Sequence, residues 1–112
     1  MRFVPITLAL LCSATALAQI PVCHCRLDQG LISCEGAYKD GSRAEDVAMR
    51  VMTYGGETLH SGRLDRQSRF GAPLPDQPFY ILMDAGPGEM FEVDWRDIEG
   101  LAEQHFRTAA GK

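Results

Sequence analysis

Cys23, His24, Cys25 and Cys34 are the residues whose types and spacing could do chemistry. On an extended strand, two cysteines two positions apart share one face and the residue between them takes the other. Thiolates bind soft cations because sulfur is polarisable and gives up its proton at modest cost once the ion is present. Cys23, Cys25 and Cys34 are therefore candidates for a trigonal sulfur site for Cu(I), or for part of a zinc site completed by one outside ligand, with His24 a further candidate ligand. The same sulfurs also allow a disulfide from Cys34 to Cys25 or to Cys23, the kind of staple that small exported domains use. Three thiols cannot all pair within one chain, so a disulfide leaves one thiol over.

Positioning these sulfurs requires a hairpin. Val22 to Leu27 and Leu31 to Cys34 flank Asp28-Gln29-Gly30, a turn signal. A two-residue Gln29-Gly30 loop sets Leu27 opposite Ile32 and Cys25 opposite Cys34. A four-residue loop from Leu27 to Gly30 sets Cys23 opposite Cys34 instead. Beyond a polar loop around Asp40-Gly41-Ser42, Val47 to Tyr54 reads as a strand with Val47, Met49 and Val51 on one face. Gly55-Gly56 closes a hairpin onto Glu57 to Arg63, where Leu59 is expected to face the core and His60 the opposite side. Arg69-Phe70-Gly71 is a short strand ended by Pro73 and Pro75. Phe79 to Met83 is the most buried candidate, paired with Met90 to Val93 across a turn in which Pro87-Gly88 suits the central positions of type II. The tail changes period: Trp95, Ile98, Leu101, Ala102, His105 and Phe106 recur at helical spacing behind an Asp94 cap, so a C-terminal helix packed on the sheet is expected.

At 112 residues the chain holds one domain. Arg2 followed by the apolar stretch Phe3 to Ala18, ending Ala16-Leu17-Ala18, reads as a signal peptide (1–18) cleaved before Gln19. Leu11 before Cys12 does not suit lipoprotein processing, and Cys12 would leave with the leader. The expected product is a periplasmic or secreted domain over 19–107 with a frayed tail at 108–112. The net charge of −4 and the lack of a basic patch argue against nucleic acid as a partner. No later segment has the roughly 20 apolar residues that span a membrane.

Nothing in the sequence assembles a catalytic constellation. It contains neither a Gly-x-Ser-x-Gly elbow nor a His-Glu-x-x-His pair, and a thiol-redox enzyme would lack its Cys-x-x-Cys. The expectation is a protein that is not an enzyme. Met49, Met52, Met83 and Met90 could supply thioether ligands but read as core filling. His60 and His105 read as surface and boundary histidines. Asp94, Asp97 and Glu99 read as a solvated helix start. Gly86, Pro87, Gly88 and Glu89 form a tight turn and a weak candidate for contact with a periplasmic or membrane-bound protein partner.

Gly55-Gly56-Glu57-Thr58-Leu59, Ser61-Gly62-Arg63-Leu64-Asp65, Arg69-Phe70 and Pro78-Phe79-Tyr80-Ile81 together resemble the turn-and-strand punctuation of carboxypeptidase-regulatory-like, transthyretin-like β-sandwich domains. Asp84-Ala85-Gly86-Pro87-Gly88, the Cys-His-Cys opening and Cys34-Glu35-Gly36 are similar to small exported bacterial proteins of that fold. The resemblance covers Cys23 to Val93. It implies a mainly β chain, a single antiparallel sandwich of about seven strands, and a non-catalytic binding module accessory to the handling of a transition-metal ion (nickel, cobalt or copper). The alternative is a disulfide-stapled structural or interaction domain with no metal role. Two positions depart from the pattern. Ser68 stands where these domains carry Gly, which is tolerated if the position avoids positive φ. Glu89 stands where relatives carry His, which argues against a metal role for that loop.

Overall fold

The computed structural model describes residues 19–101 and Phe106. The expected leader, residues 102–105 and 107 of the expected helix, and the expected tail lie outside the described residues. Seven strands occur among the described residues: β1 (Pro21–Asp28), β2 (Leu31–Tyr38), β3 (Ala48–Thr53), β4 (Thr58–Arg63), β5 (Arg69–Pro73), β6 (Phe79–Asp84) and β7 (Met90–Asp94). They form two antiparallel sheets, one ordered β1-β2-β5 and the other β4-β3-β6-β7.

One hydrophobic core is shared by the two sheets. Ile32, Cys25, Cys34 and Phe70 from the first meet Met49, Val51, Phe79, Ile81 and Met83 from the second. The alternation that points Val47, just before β3, and Met49 and Val51 within it inward is realised, and Arg50 on the other face reaches Asp84 Oδ2 at 3.2 Å. β6 lies between β3 and β7 and is the most continuously buried strand, as its apolar run requires. Glycines let the layers approach closely. A Cβ on Gly36 would stand 2.7 Å from Leu64 Cδ1 and 3.2 Å from Met83 Cε, so β2 lies close under the opposite sheet only because nothing projects there.

Three expectations are corrected. The strict alternation that would bury Leu59 is broken by a bulge in the β3–β4 ladder. Val51 pairs with His60 and Met52 with Thr58, so Leu59 is the extra residue and is exposed, while His60 turns toward the Phe70 ring at 5.8 Å. The segment from Trp95 is not a helix through Leu101. Asp94 does accept from the Arg96 N–H, but Trp95–Asp97 form only a 3-10 turn; Ile98 is extended and Gly100 has φ 85°. Ser68 does adopt positive φ, at 62°, held by its hydroxyl donating to the Ala44 carbonyl at 2.5 Å and its N–H donating to Asp65 O at 2.9 Å.

Candidate metal centre

The site begins with a tight turn. Gln29 and Gly30 have φ of 53° and 82°, the paired left-handed geometry of a type I′ hairpin, which matches the twist of the strands it joins. That two-residue loop selects one of the two registers the sequence allows: Leu27 pairs with Ile32, Cys25 with Cys34, and Cys23 with Gly36. With a period of two, all three cysteines then project from the inner face of the sheet.

Cys25 and Cys34 are joined by a disulfide, and both are buried. Cys23 is the cysteine left unpaired among the described residues, half-buried, with its Sγ 3.8 Å from Cys25 Sγ. The three Sγ atoms all lie within 4.8 Å of one another. Burial pushes the Cys23 thiol up to about 12, because its surroundings solvate a thiolate poorly. Those surroundings include Gly36, its partner across the ladder, over which pack Met83 from the other sheet and Leu64 from just beyond β4.

His24 does not join them. It lies on the outer face of β1, where its Nε2 is 2.8 Å from Glu99 Oε1 and both side chains are largely exposed. The sequence therefore placed three of its four candidate ligands together, and strand alternation removes the fourth. His60 lies on β4 beside Phe70, and His105 is outside the described residues.

What sequence reasoning missed is the clamp on the free side of β1. The chain leaves β7, makes its 3-10 turn, and passes β1 in a parallel bridge in which Leu27 N–H donates to Glu99 O at 2.8 Å and Glu99 N–H donates to Cys25 O at 3.0 Å. β1 is thus fixed on both sides at the level of Cys25, and Ile98 and Leu101 are buried by the same crossing. The available signal was Gly100, a helix-stop residue inside the supposed helix.

The Gly86-Pro87-Gly88-Glu89 turn is the type II turn its residues specify: Gly88 has φ 79° and Glu89 N–H donates to Gly86 O at 2.8 Å. The Gly86 N–H donates to Asp84 Oδ1 at 3.0 Å, so this loop spends its inner donors on itself rather than on an anion. Among the described residues, no helix is long and apolar enough to cross a membrane.

Chemically, the oxidised hairpin is a stapled strand pair with a protonated thiol beside the staple. Opened, it is a set of three sulfurs with no oxygen or nitrogen donor assigned to it. Compared with known proteins, this chain matches no family model, no curated protein and no solved structure.

Proposed function

We propose that this chain is an exported, non-catalytic binding module on a transthyretin-like β-sandwich, and that it serves transition-metal handling through Cys23, Cys25 and Cys34. One observation carries the reading: three sulfurs from two adjacent strands lie within 4.8 Å of one another on the inner face of a hairpin. Two antiparallel sheets sharing one core support the sandwich. The donor chemistry fits a transition metal and does not fit a hard cation, which needs several converging oxygens. His24 is left out of the ligand set because it faces Glu99 on the other side of β1. The reading is tested by counting thiols and metal in the exported protein, oxidised and fully reduced. Three thiols with one equivalent of bound metal after reduction are expected. An absence of bound metal in both states would remove the metal role.

The Cys25–Cys34 disulfide favours a second reading. In it the sulfurs serve stability alone, and the domain meets a periplasmic or membrane-bound protein partner through a sheet edge or the Gly86–Glu89 turn. One free thiol, no metal in either redox state, and a partner recovered by cross-linking from the turn would select it.

A further inference from the structure

We infer that the Cys23, Cys25, Cys34 cluster is a redox-gated site for a soft monovalent cation, with Cu(I) as its chemical type, closed while the Cys25–Cys34 bond is intact and open when that bond is reduced. The inference rests on the metal-handling reading and narrows it to one class of ion and one redox state.

Coordination number decides the class. Nickel, cobalt and zinc sites in proteins are completed with four or more ligands, commonly imidazole or carboxylate beside sulfur. Here the fourth candidate, His24, is turned to the opposite face of β1. The side chains that close over the cluster's neighbour Gly36 are Leu64 and Met83, one apolar and one a soft thioether. Cu(I) is a soft ion suited to thiolate and thioether ligands, and a trigonal sulfur set supplies all it needs. A metal–sulfur bond of about 2.3 Å in a trigonal site separates the sulfurs by about 4.0 Å. Cys23 and Cys25 already stand at 3.8 Å, and all three sulfurs lie within 4.8 Å. The atoms that must move are the two sulfurs now bonded to each other, which separate by about 2 Å on reduction to reach that spacing.

The gate is balanced as ordinary thiol chemistry. Both sulfurs are buried in the oxidised fold, so exchange proceeds from a transient opening of the hairpin, in which a dithiol donor supplies two electrons and two protons to the Cys25–Cys34 bond and is itself oxidised to a disulfide, leaving two thiols on the protein. Each sulfur that then binds the ion as thiolate releases its proton to solvent. In the oxidised state only Cys23 retains a thiol, and one half-buried sulfur cannot enclose an ion. The clamp by Glu99 holds the β1 backbone at Cys25 in either state, since it uses main-chain groups rather than sulfur.

The test uses the full exported chain, reduced with a phosphine and handled without oxygen, and titrated with Cu(I) against a competing chromophoric chelator. One Cu(I) per reduced chain is expected, with X-ray absorption showing sulfur-only coordination. No stoichiometric uptake by the oxidised chain is expected. Cys23→Ser should weaken Cu(I) by more than the roughly 100-fold that loss of a supporting group costs a metal site, while His24→Ala leaves affinity unchanged. If reduction melts the domain, Cu(I) must restore its near-ultraviolet circular dichroism, and failure to do so counts against the inference. Tighter binding of Zn(II) or Ni(II) than of Cu(I), or nitrogen in the coordination shell, overturns the inference and leaves the metal-handling reading standing. A reduced chain that takes up no metal at all overturns both.

Discussion

Among the described residues Cys23 is the one cysteine outside the disulfide, and folding makes its thiol a weaker acid. Burial pushes its thiol to about 12 from a reference of 9.0, so at pH 8 only roughly one molecule in 10,000 carries the thiolate. Iodoacetamide should therefore label Cys23 at least about a hundredfold more slowly in the folded, oxidised protein than in urea, and the rate should climb about tenfold per pH unit. Equal rates in the two states would contradict that burial. The same shift has a stability consequence whose sign is fixed by proton binding. Between about pH 9 and pH 12 the unfolded chain ionises this thiol and the folded chain does not, so stability falls as pH rises through that window and is unaffected by this group below it. Tyr54 acts in the same direction at the top of the window, since burial first, and then its hydrogen bond to the Asp94 carboxylate, raise its phenol. Urea midpoints measured from pH 8 to pH 11 should drop less steeply in Cys23→Ser than in the parent. Ser68 offers a separate residue-scale test. Its φ of 62° suits glycine, but its hydroxyl satisfies the Ala44 carbonyl. Ser68→Ala keeps the awkward backbone and loses the bond, which should cost about 1–3 kcal/mol. Ser68→Gly loses the bond and relieves about 1–2 kcal/mol of backbone strain, so it should lie closer to the parent in thermal denaturation.

Elements, rather than single residues, decide which side chains meet. The Gln29-Gly30 turn fixes the register that joins Cys25 to Cys34, and Gly30 meets nothing within 4 Å, so its role is conformational alone. Gly30→Ala should cost about 1–2 kcal/mol in chemical denaturation through its φ of 82° and leave the disulfide pairing intact by mass mapping. A rearranged disulfide would show that something other than the turn sets the register. In the second sheet, the Tyr54 hydroxyl at the β3–β4 turn reaches both the Asp94 carboxylate and the Phe79 carbonyl, the latter at 3.1 Å. It ties that turn to β6 and to the end of β7. Burial alone would raise the Asp94 carboxyl, but hydrogen bonds from Tyr54 and from Arg96 outweigh it and hold it below the usual carboxylate range. What could be read from the sequence follows the range of each interaction. The cysteine hairpin, the β6–β7 pair and the Pro87-Gly88 turn are legible because local turn chemistry and a period of two specify them. Leu59 and His60 exchange faces because a bulge depends on the partner strand, which a single segment does not reveal. The tail misleads for the same reason. Its apolar spacing fits a helix, yet Ile98 and Leu101 reach the core through an extended crossing, and its hydrogen bonds go to β1, about 70 residues earlier in the chain.

At the scale of the molecule, the placing of the disulfide determines what its loss can do. Cys25 and Cys34 belong to neighbouring strands of one sheet, so the bond closes a hairpin and does not tie the two layers together. Those layers are joined by the shared core, and the free edge of β1 is held by main-chain hydrogen bonds from Glu99. For a sequence separation of 9, chain entropy assigns the bond about 2.5 kcal/mol. In a domain of this size that converts to a fall in melting temperature of about 10–20 °C. Reduction should therefore lower the midpoint by that amount while the transition stays cooperative, and circular dichroism at 25 °C should show the same sheet content in both redox states. A larger loss would mean that the hairpin nucleates the packing of both sheets. A smaller one would mean that the paired strands keep their register in the unfolded ensemble, leaving less entropy for the bond to remove. The redox-gated reading requires a staple of about this strength, because the scaffold must outlast the bond that it positions.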